Sequence, residues 1–361
     1  MKKKLSIGIT AYNQSSLIKE NLLNILKYHG DDIEIIVQDD CSTENIKKII
    51  EELNDSRILY FRNSTNLGHD RNIIELFTNC SSDYVFLLRS SDFILDGGIE
   101  KILNFIVHNP QVGYCRFSCL DEDNKVRINY ADSICQKGND SVQLHRELLI
   151  HPSGELYNLN YFNEKDWTCY KNYLDKYFDN NKKFVVHTMM RCKLIICAGI
   201  ASSSEFVWRY TKTTKRKDIA ENRSYDGMCV YHPIFRYQRY NCVMSYIINE
   251  LDGEGKENLV KAVIDECSWL IIYVFRHINK DKNMQYHYNY KAIHFSSLKE
   301  MREFKKKTKE FSSQYNEPFR SMVINHSENI NLFTLLNWHY MYMIKRVKSI
   351  WNKAKNIIIK H

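Results

Sequence analysis

The chain has 361 residues, 44% hydrophobic and 26% charged, with 12 glycines and 4 prolines. That balance argues against a disordered, collagen-like or linker-dominated chain and leaves material for a sizeable core plus a smaller second unit. The net charge of +8 is concentrated in residues 339–361, which hold six basic side chains and no acid, so the remainder is close to neutral and no nucleic-acid surface is indicated.

Eleven cysteines are scattered singly and none forms a Cys-x-x-Cys pair, which argues against zinc ribbons and thioredoxin-type redox motifs. Cys115 and Cys119 read as buried thiols. Unpaired thiols on this scale suit a reducing compartment, so the expected location is cytoplasmic. The start, Met1 and three lysines, resembles a signal n-region, but Leu5–Ala11 is short and interrupted by Ser6 and Thr10; it reads as a first strand.

In chain order, Leu5–Thr10 predicts a buried strand and Leu17–Tyr28 a helix with apolar residues at helical spacing. Ile33–Val37 is a second strand, followed by a helix over Glu44–Leu53 capped by Ser42 or Thr43. Ile58–Phe61, Ile73–Thr78 and Tyr84–Leu88 continue as strand, helix and strand. This alternation implies a mostly parallel sheet with helices on both faces, whose ligands bind outside the carboxyl ends of the strands. Three polar clusters sit there: Thr10–Asn13, Asp39–Thr43 and Arg89–Asp92. Beyond residue 110, Val112–Phe117 reads as a strand, Asp121–Asp140 as a loop-rich stretch and Leu156–Phe162 as an aromatic helix. Phe184–Ile200 is strongly apolar around His187 and Arg191. Lys212–Lys217 is a basic cluster. From Asn241 onward the pattern is helical, with a polar hinge at Lys305–Lys309.

Each cluster has a chemical and a structural reading. Tyr12, after Thr10-Ala11 and before Asn13, offers a ring able to stack on a base. Asp39 and Asp40 are adjacent carboxylates at a strand end, a repulsive arrangement usually kept where a ligand or metal uses it; helix capping is the alternative. In Asn66-Leu67-Gly68-His69-Asp70-Arg71-Asn72, Arg71 faces a pyrophosphate or is a surface helix residue. The order of these motifs resembles the family 2 glycosyltransferases, inverting enzymes of the GT-A fold. Thr10-Ala11-Tyr12-Asn13, Asp39-Asp40-Cys41-Ser42-Thr43 and Asn66-Leu67-Gly68 with Arg71-Asn72 match that family's ordered segments.

The resemblance implies a GT-A, Rossmann-like α/β fold with a C-terminal helical extension. It implies a nucleotide-sugar donor, by expectation a UDP-sugar, and a saccharide or lipid-linked saccharide acceptor in surface-polysaccharide synthesis. The expected organisation is a nucleotide-sugar half at 1–110, an acceptor half at 111–240 and a helical region at 241–361. The nucleotide set is Thr10, Ala11, Tyr12, Asn13, Asp39, Asp40, Asn66, Arg71, Arg89, Ser90 and Ser91.

Where the family carries its Asp-x-Asp metal motif, this chain reads Leu88-Arg89-Ser90-Ser91-Asp92. Either Asp92 and the donor diphosphate hold Mn²⁺ or Mg²⁺ together, or cationic side chains (Arg89, Arg71 and the Lys212–Lys217 cluster) replace the metal. The degenerate motif also admits a catalytically inactive, nucleotide-sugar-binding or scaffold subunit. Inverting transfer needs a base. The candidates are His187, Glu155, Glu205 and Asp226, with a core histidine and a plain Pro-Gly turn as the structural readings of His187 and of the His151–Glu155 segment. Finally, residues 344–358 place apolar side chains and Trp351 at helical spacing among lysines, the composition of an interfacial helix on an anionic membrane or of a packed terminal helix. The location expected from it is peripheral, on the inner face of the cell membrane.

Overall fold

A computed structural model describes residues 3–145, 153–178, 185–211, 233–266 and 297–329. The chain divides into two compact units, residues 1–222 with 242–259, and residues 223–241 with 260–361.

The first unit opens with the expected alternation: β1 (Leu5–Ala11), α1 (Ser15–Ile25), β2 (Ile33–Asp39), α2 (Ile46–Leu53), β3 (Ile58–Arg62), α3 (His69–Thr78) and β4 (Tyr84–Arg89). It continues through β5 (Phe93–Ile94), α4 (Gly98–His108), β6 (Tyr114–Leu120), β7 (Val126–Ile128), β8 (Ser133–Cys135), α5 (Asn139–His145) and β9 (Glu155–Asn158). A 3₁₀ turn (Leu159–Tyr161), α6 (Glu164–Tyr177), α7 (Val186–Cys197) and β10 (Ile200–Arg209) follow. The strand order is β3-β2-β1-β4-β9-β6-β10-β5, with β7 on β6 and β8 on β10. Pairings among β3, β2, β1 and β4 are parallel, as is β6 with β10, while β9 runs antiparallel to both β4 and β6. One sheet therefore crosses the expected boundary at residue 110.

Right-handed crossovers place α1 and α2 on one face and return α3 on the other. Strand alternation follows. Leu5, Ile7 and Ile9 of β1 join Ile33, Ile35 and Val37 of β2 and Phe86 and Leu88 of β4 in a core with Ile18 and Leu22 of α1. On the opposite face Gly8 lets α3 close in, since a Cβ there would come within 2.6 Å of Leu76 Cδ2. Cys115 and Cys119 are buried in β6, and burial pushes the Cys119 thiol up to about 11 and raises that of Cys115 as well. They are core thiols.

Several sequence expectations change. Leu156–Phe162 is not an α-helix: its first three residues, with Glu155, form β9, all four buried between β4 and β6, and a 3₁₀ turn follows. The loop-rich stretch contains β7 and β8. The N-cap of α2 is Asn45, whose side chain accepts from Lys48 N at 3.1 Å, because Ser42 and Thr43 are occupied elsewhere.

Helix α8 (Pro233–Glu250) follows, and its residues from Cys242 belong to the first unit, where Tyr173 Oη donates to Glu250 at 2.8 Å. The second unit includes α9 (Ser297–Ser312) and α10 (Phe319–Asn329). In it, Lys305 Nζ donates to the Glu328 carbonyl at 3.0 Å and His326 pairs with Asp265 at 2.8 Å. Lys305–Lys309 lies inside α9 rather than at a hinge. Among the described residues no helix is long and apolar enough to cross a membrane. Residues 339–361 and Lys212–Lys217 lie outside the described residues.

Candidate active site

The strand order reverses at β1, whose neighbours are β2 and β4, and this is where an open α/β sheet forms a ligand crevice at its carboxyl edge. Thr10 lies opposite Gln38 and Arg89 in the two ladders, and Ala11 opposite Asp39. The three predicted polar clusters therefore meet in space.

Tyr12 is 43% exposed, unusual for so large a ring. Beside it Asn13 takes a left-handed conformation, φ 49°. Its Oδ1 accepts from Thr43 N at 2.8 Å while its own N–H donates to Ser42 Oγ at 2.9 Å, so the β1 end and the 42–43 loop are tied together. The two adjacent carboxylates avoid one another by serving different partners. Asp39 accepts from Ser42 N at 3.0 Å and from Tyr60 Oη at 2.7 Å, and lies 3.4 Å from Arg62 Nε. Asp40 accepts from Asn63 Nδ2 at 2.9 Å, Leu67 N at 2.7 Å and Gly68 N at 2.8 Å. Asp40 thereby fixes the loop that starts α3, where Gly68 has φ 80°. Asn66 supports the same loop, accepting from Gly68 N at 3.1 Å. Arg71 reaches across to Asp175 of α6.

On the β4 side, Ser90 donates to Gln14 and Ser91 is buried. Asp92 is fully buried, and Arg89 grips it with Nε and Nη2, both at 2.9 Å. Thr211 N donates to Asp92 at 3.0 Å, and the Ser153 hydroxyl donates to it at 2.5 Å. Ser153 also accepts from Arg89 N at 2.9 Å. The turn holding Ser153 is tight: Gly154 has φ 77°, and a Cβ there would fall 2.1 Å from the Trp208 indole nitrogen. The Arg89 guanidinium carbon lies 5.4 Å from the Tyr210 ring centroid and that of Arg127 3.7 Å.

This donor set does not fit the Mn²⁺ or Mg²⁺ expected at Asp92. A divalent ion wants open oxygen ligands, and here two guanidinium N–H groups, a hydroxyl and an amide already fill the carboxylate's acceptor positions. Any ion at those oxygens would have to displace a guanidinium 2.9 Å away and bear its repulsion.

The candidate bases separate. Glu155 is fully buried in β9 and accepts from Arg116 Nη1 at 2.9 Å, Tyr114 at 2.8 Å and Tyr157 at 2.7 Å, with Arg191 at 3.6 Å. It is the centre of a core ion cluster rather than an acceptor-side group. His187, in the first turn of α7, is 1% exposed and meets His69 edge-on, ring centroids 6.3 Å apart. Burial agrees with its reading as a core histidine. Glu205 pairs with Lys101 of α4 at 2.7 Å. Asp226 lies outside the described residues.

Ser153, Tyr60, Arg62, Arg127, Tyr210 and Thr211 escaped the sequence reading. Only Ser153 left a trace, in its Pro-Ser-Gly turn.

A strand-order reversal lined by polar strand ends and an exposed aromatic is the place where open α/β sheets bind ligands. Residues 6–169 match the model of "Glycosyl transferase family 2". It is 34% identical over 131 residues to an uncharacterized glycosyltransferase of Haemophilus influenzae, covering 34% of this chain and 51% of the relative. It is 27% identical over 209 residues to the GalNAc(5)-diNAcBac-PP-undecaprenol beta-1,3-glucosyltransferase of Campylobacter jejuni, covering 52% of this chain and 65% of the relative. The chain thus spans about half to just under two thirds of these curated relatives. Among solved structures, S. aureus TarS 1-349 in complex with UDP-GlcNAc superposes with a TM-score of 0.58 at 16% identity, covering 90% of this chain and 89% of that one. That likeness bears out the GT-A fold.

Proposed function

We propose that this chain transfers a sugar from a nucleotide sugar, with UDP as carrier, to a saccharide or lipid-linked saccharide, with inversion, in bacterial surface-polysaccharide synthesis. The observation that carries this reading is the exposed Tyr12 ring at the switch point, within the segment matched by the family model. A base stacked on Tyr12 would lie over the crevice between β1 and β2, with the diphosphate directed toward the end of β4. The Campylobacter relative, whose name specifies an undecaprenol-linked acceptor, supports a lipid-linked acceptor here.

A calorimetric panel of UDP-, GDP- and CDP-sugars tests the donor. UDP-sugars should bind best, and Tyr12→Ala should weaken them about tenfold or more at unchanged thermal stability, since base–aromatic stacking is worth about 1–3 kcal/mol. Failure of every nucleotide sugar to bind the folded protein would remove the reading.

The basic segment 339–361 would bring the chain to an anionic membrane surface, each lysine or arginine adding roughly 1 kcal/mol. Co-sedimentation with phosphatidylserine vesicles should fall as salt rises and vanish when the segment is removed. Equal sedimentation with and without it would assign that segment a packing role.

A further inference from the structure

The segment that should hold a cation holds one already, and it is covalently part of the chain. Arg89 ends β4 in register with Thr10 of β1, beside the strand-order reversal. Its guanidinium is fixed from two sides. Asp92 binds Nε and Nη2 at 2.9 Å each, and the Tyr210 ring lies 5.4 Å away. Ser153 and Thr211 lock Asp92 in turn. Nonetheless 21% of the Arg89 side chain stays exposed, while Asp92 has none of its surface open. Of the pair, only the arginine reaches the surface at this strand end, and the carboxylate acts as its buried anchor. A second guanidinium, that of Arg127 on β7, sits 3.7 Å from the same tyrosine ring. Two cations gathered on one ring repel each other, an arrangement that an anion between or beside them relieves.

Resting on the nucleotide-sugar reading, we propose that the donor diphosphate is held without a divalent cation, and that Arg89, anchored by Asp92, supplies the positive charge, with Arg127 as the second cation. A planar guanidinium presents five N–H donors, of which two serve Asp92, and its fork matches phosphate oxygens. A fixed guanidinium also meets the negative charge that develops on a departing diphosphate without having to reorganise. Asp92 is on this view a positioning residue: it sets the orientation of Arg89 and touches no substrate.

Calorimetry of the full chain with UDP tests this, in EDTA and in Mn²⁺ or Mg²⁺, with the electron-spin resonance of Mn²⁺ as a second readout. The expected result is an affinity that agrees within about twofold across all three conditions, and a Mn²⁺ spectrum with no protein-bound signal beyond those of free and UDP-chelated Mn²⁺. Arg89→Ala should weaken UDP about tenfold or more, a loss of about 1.4 kcal/mol, and Arg89→Lys should recover part of it. Because Arg89→Ala strands a buried carboxylate, the double variant Arg89→Ala/Asp92→Ala removes both partners and should show the same loss while remaining folded. Arg127→Ala should give a smaller loss. Affinity that rises tenfold with Mn²⁺, or a folded double variant that binds UDP like the parent, overturns the inference alone. Binding of no nucleotide under any condition overturns the proposed function, and this inference with it.

Discussion

Replacing Glu155 by alanine is expected to destabilise the first unit by about 3–5 kcal/mol, the usual cost of leaving buried charge uncompensated. Domain stabilities are typically about 5–15 kcal/mol, so the variant should lose much of its soluble yield or unfold at far lower urea. Arg116, Glu155 and Arg191 are all fully buried, and the carboxylate is the anion between two guanidinium groups. Tyr114 and Tyr157 complete its hydrogen bonding. Burial first, and then the Glu155 charge, raises both phenols above their ordinary pKa, so they remain donors at any working pH. A triple replacement, Arg116→Met, Glu155→Leu and Arg191→Met, removes the charges together. It should stand within about 2 kcal/mol of the parent, because apolar substitutes often match a buried ion cluster. Urea melts followed by circular dichroism decide the matter. A Glu155→Gln variant with an unchanged midpoint and a selective collapse of kcat would return Glu155 to the role of base.

The parallel strands were legible because strands buried on both faces read as apolar runs closed by polar residues. Leu5–Ala11, Ile33–Asp39 and Tyr84–Arg89 all have that form, so the crevice at their carboxyl ends followed. The same physics hid β9. Four residues buried on both faces show no alternation, and the aromatics of Leu156–Phe162 match a helix as well as a strand. The polarity of Lys305–Lys309 suggested a hinge, yet lysine is a good helix former, and Lys306 and Lys307 pair with Glu310 within α9. The site divides along the same line. Tyr12, Asn13, Asp39 and Asp40 could be placed at strand ends from local pattern. What their side chains bind could not, because Tyr60, Asn63 and the Leu67 and Gly68 amides arrive through the fold. The Arg89–Asp92 pair lies three residues apart in sequence, but Ser153 and Thr211, which complete it, come from separate elements.

Asp40→Ala should show how far a strand-end carboxylate serves the fold rather than the ligand. Asp40 is 4% exposed, and its two oxygens take three hydrogen bonds from one loop: Asn63 Nδ2, Leu67 N and Gly68 N. Its own N–H donates to the Ala11 carbonyl at 2.9 Å, so it links the end of β1 to the start of α3. Truncation leaves two backbone amides and a side-chain amide without their acceptor, at about 1–3 kcal/mol for each group that stays buried. A total loss of about 2–5 kcal/mol is expected, since part of the loop can turn toward water. Asp40→Asn should recover little, because its amide would present N–H groups to other N–H groups. The UDP affinity of the remaining folded protein should change less than the tenfold expected for Tyr12→Ala, whose ring lies on the open side of the same strand ends. Urea melts and calorimetry on the same preparations separate the two roles. An unchanged midpoint with a tenfold loss of UDP affinity would mean that the nucleotide, and not the loop, is what this carboxylate holds.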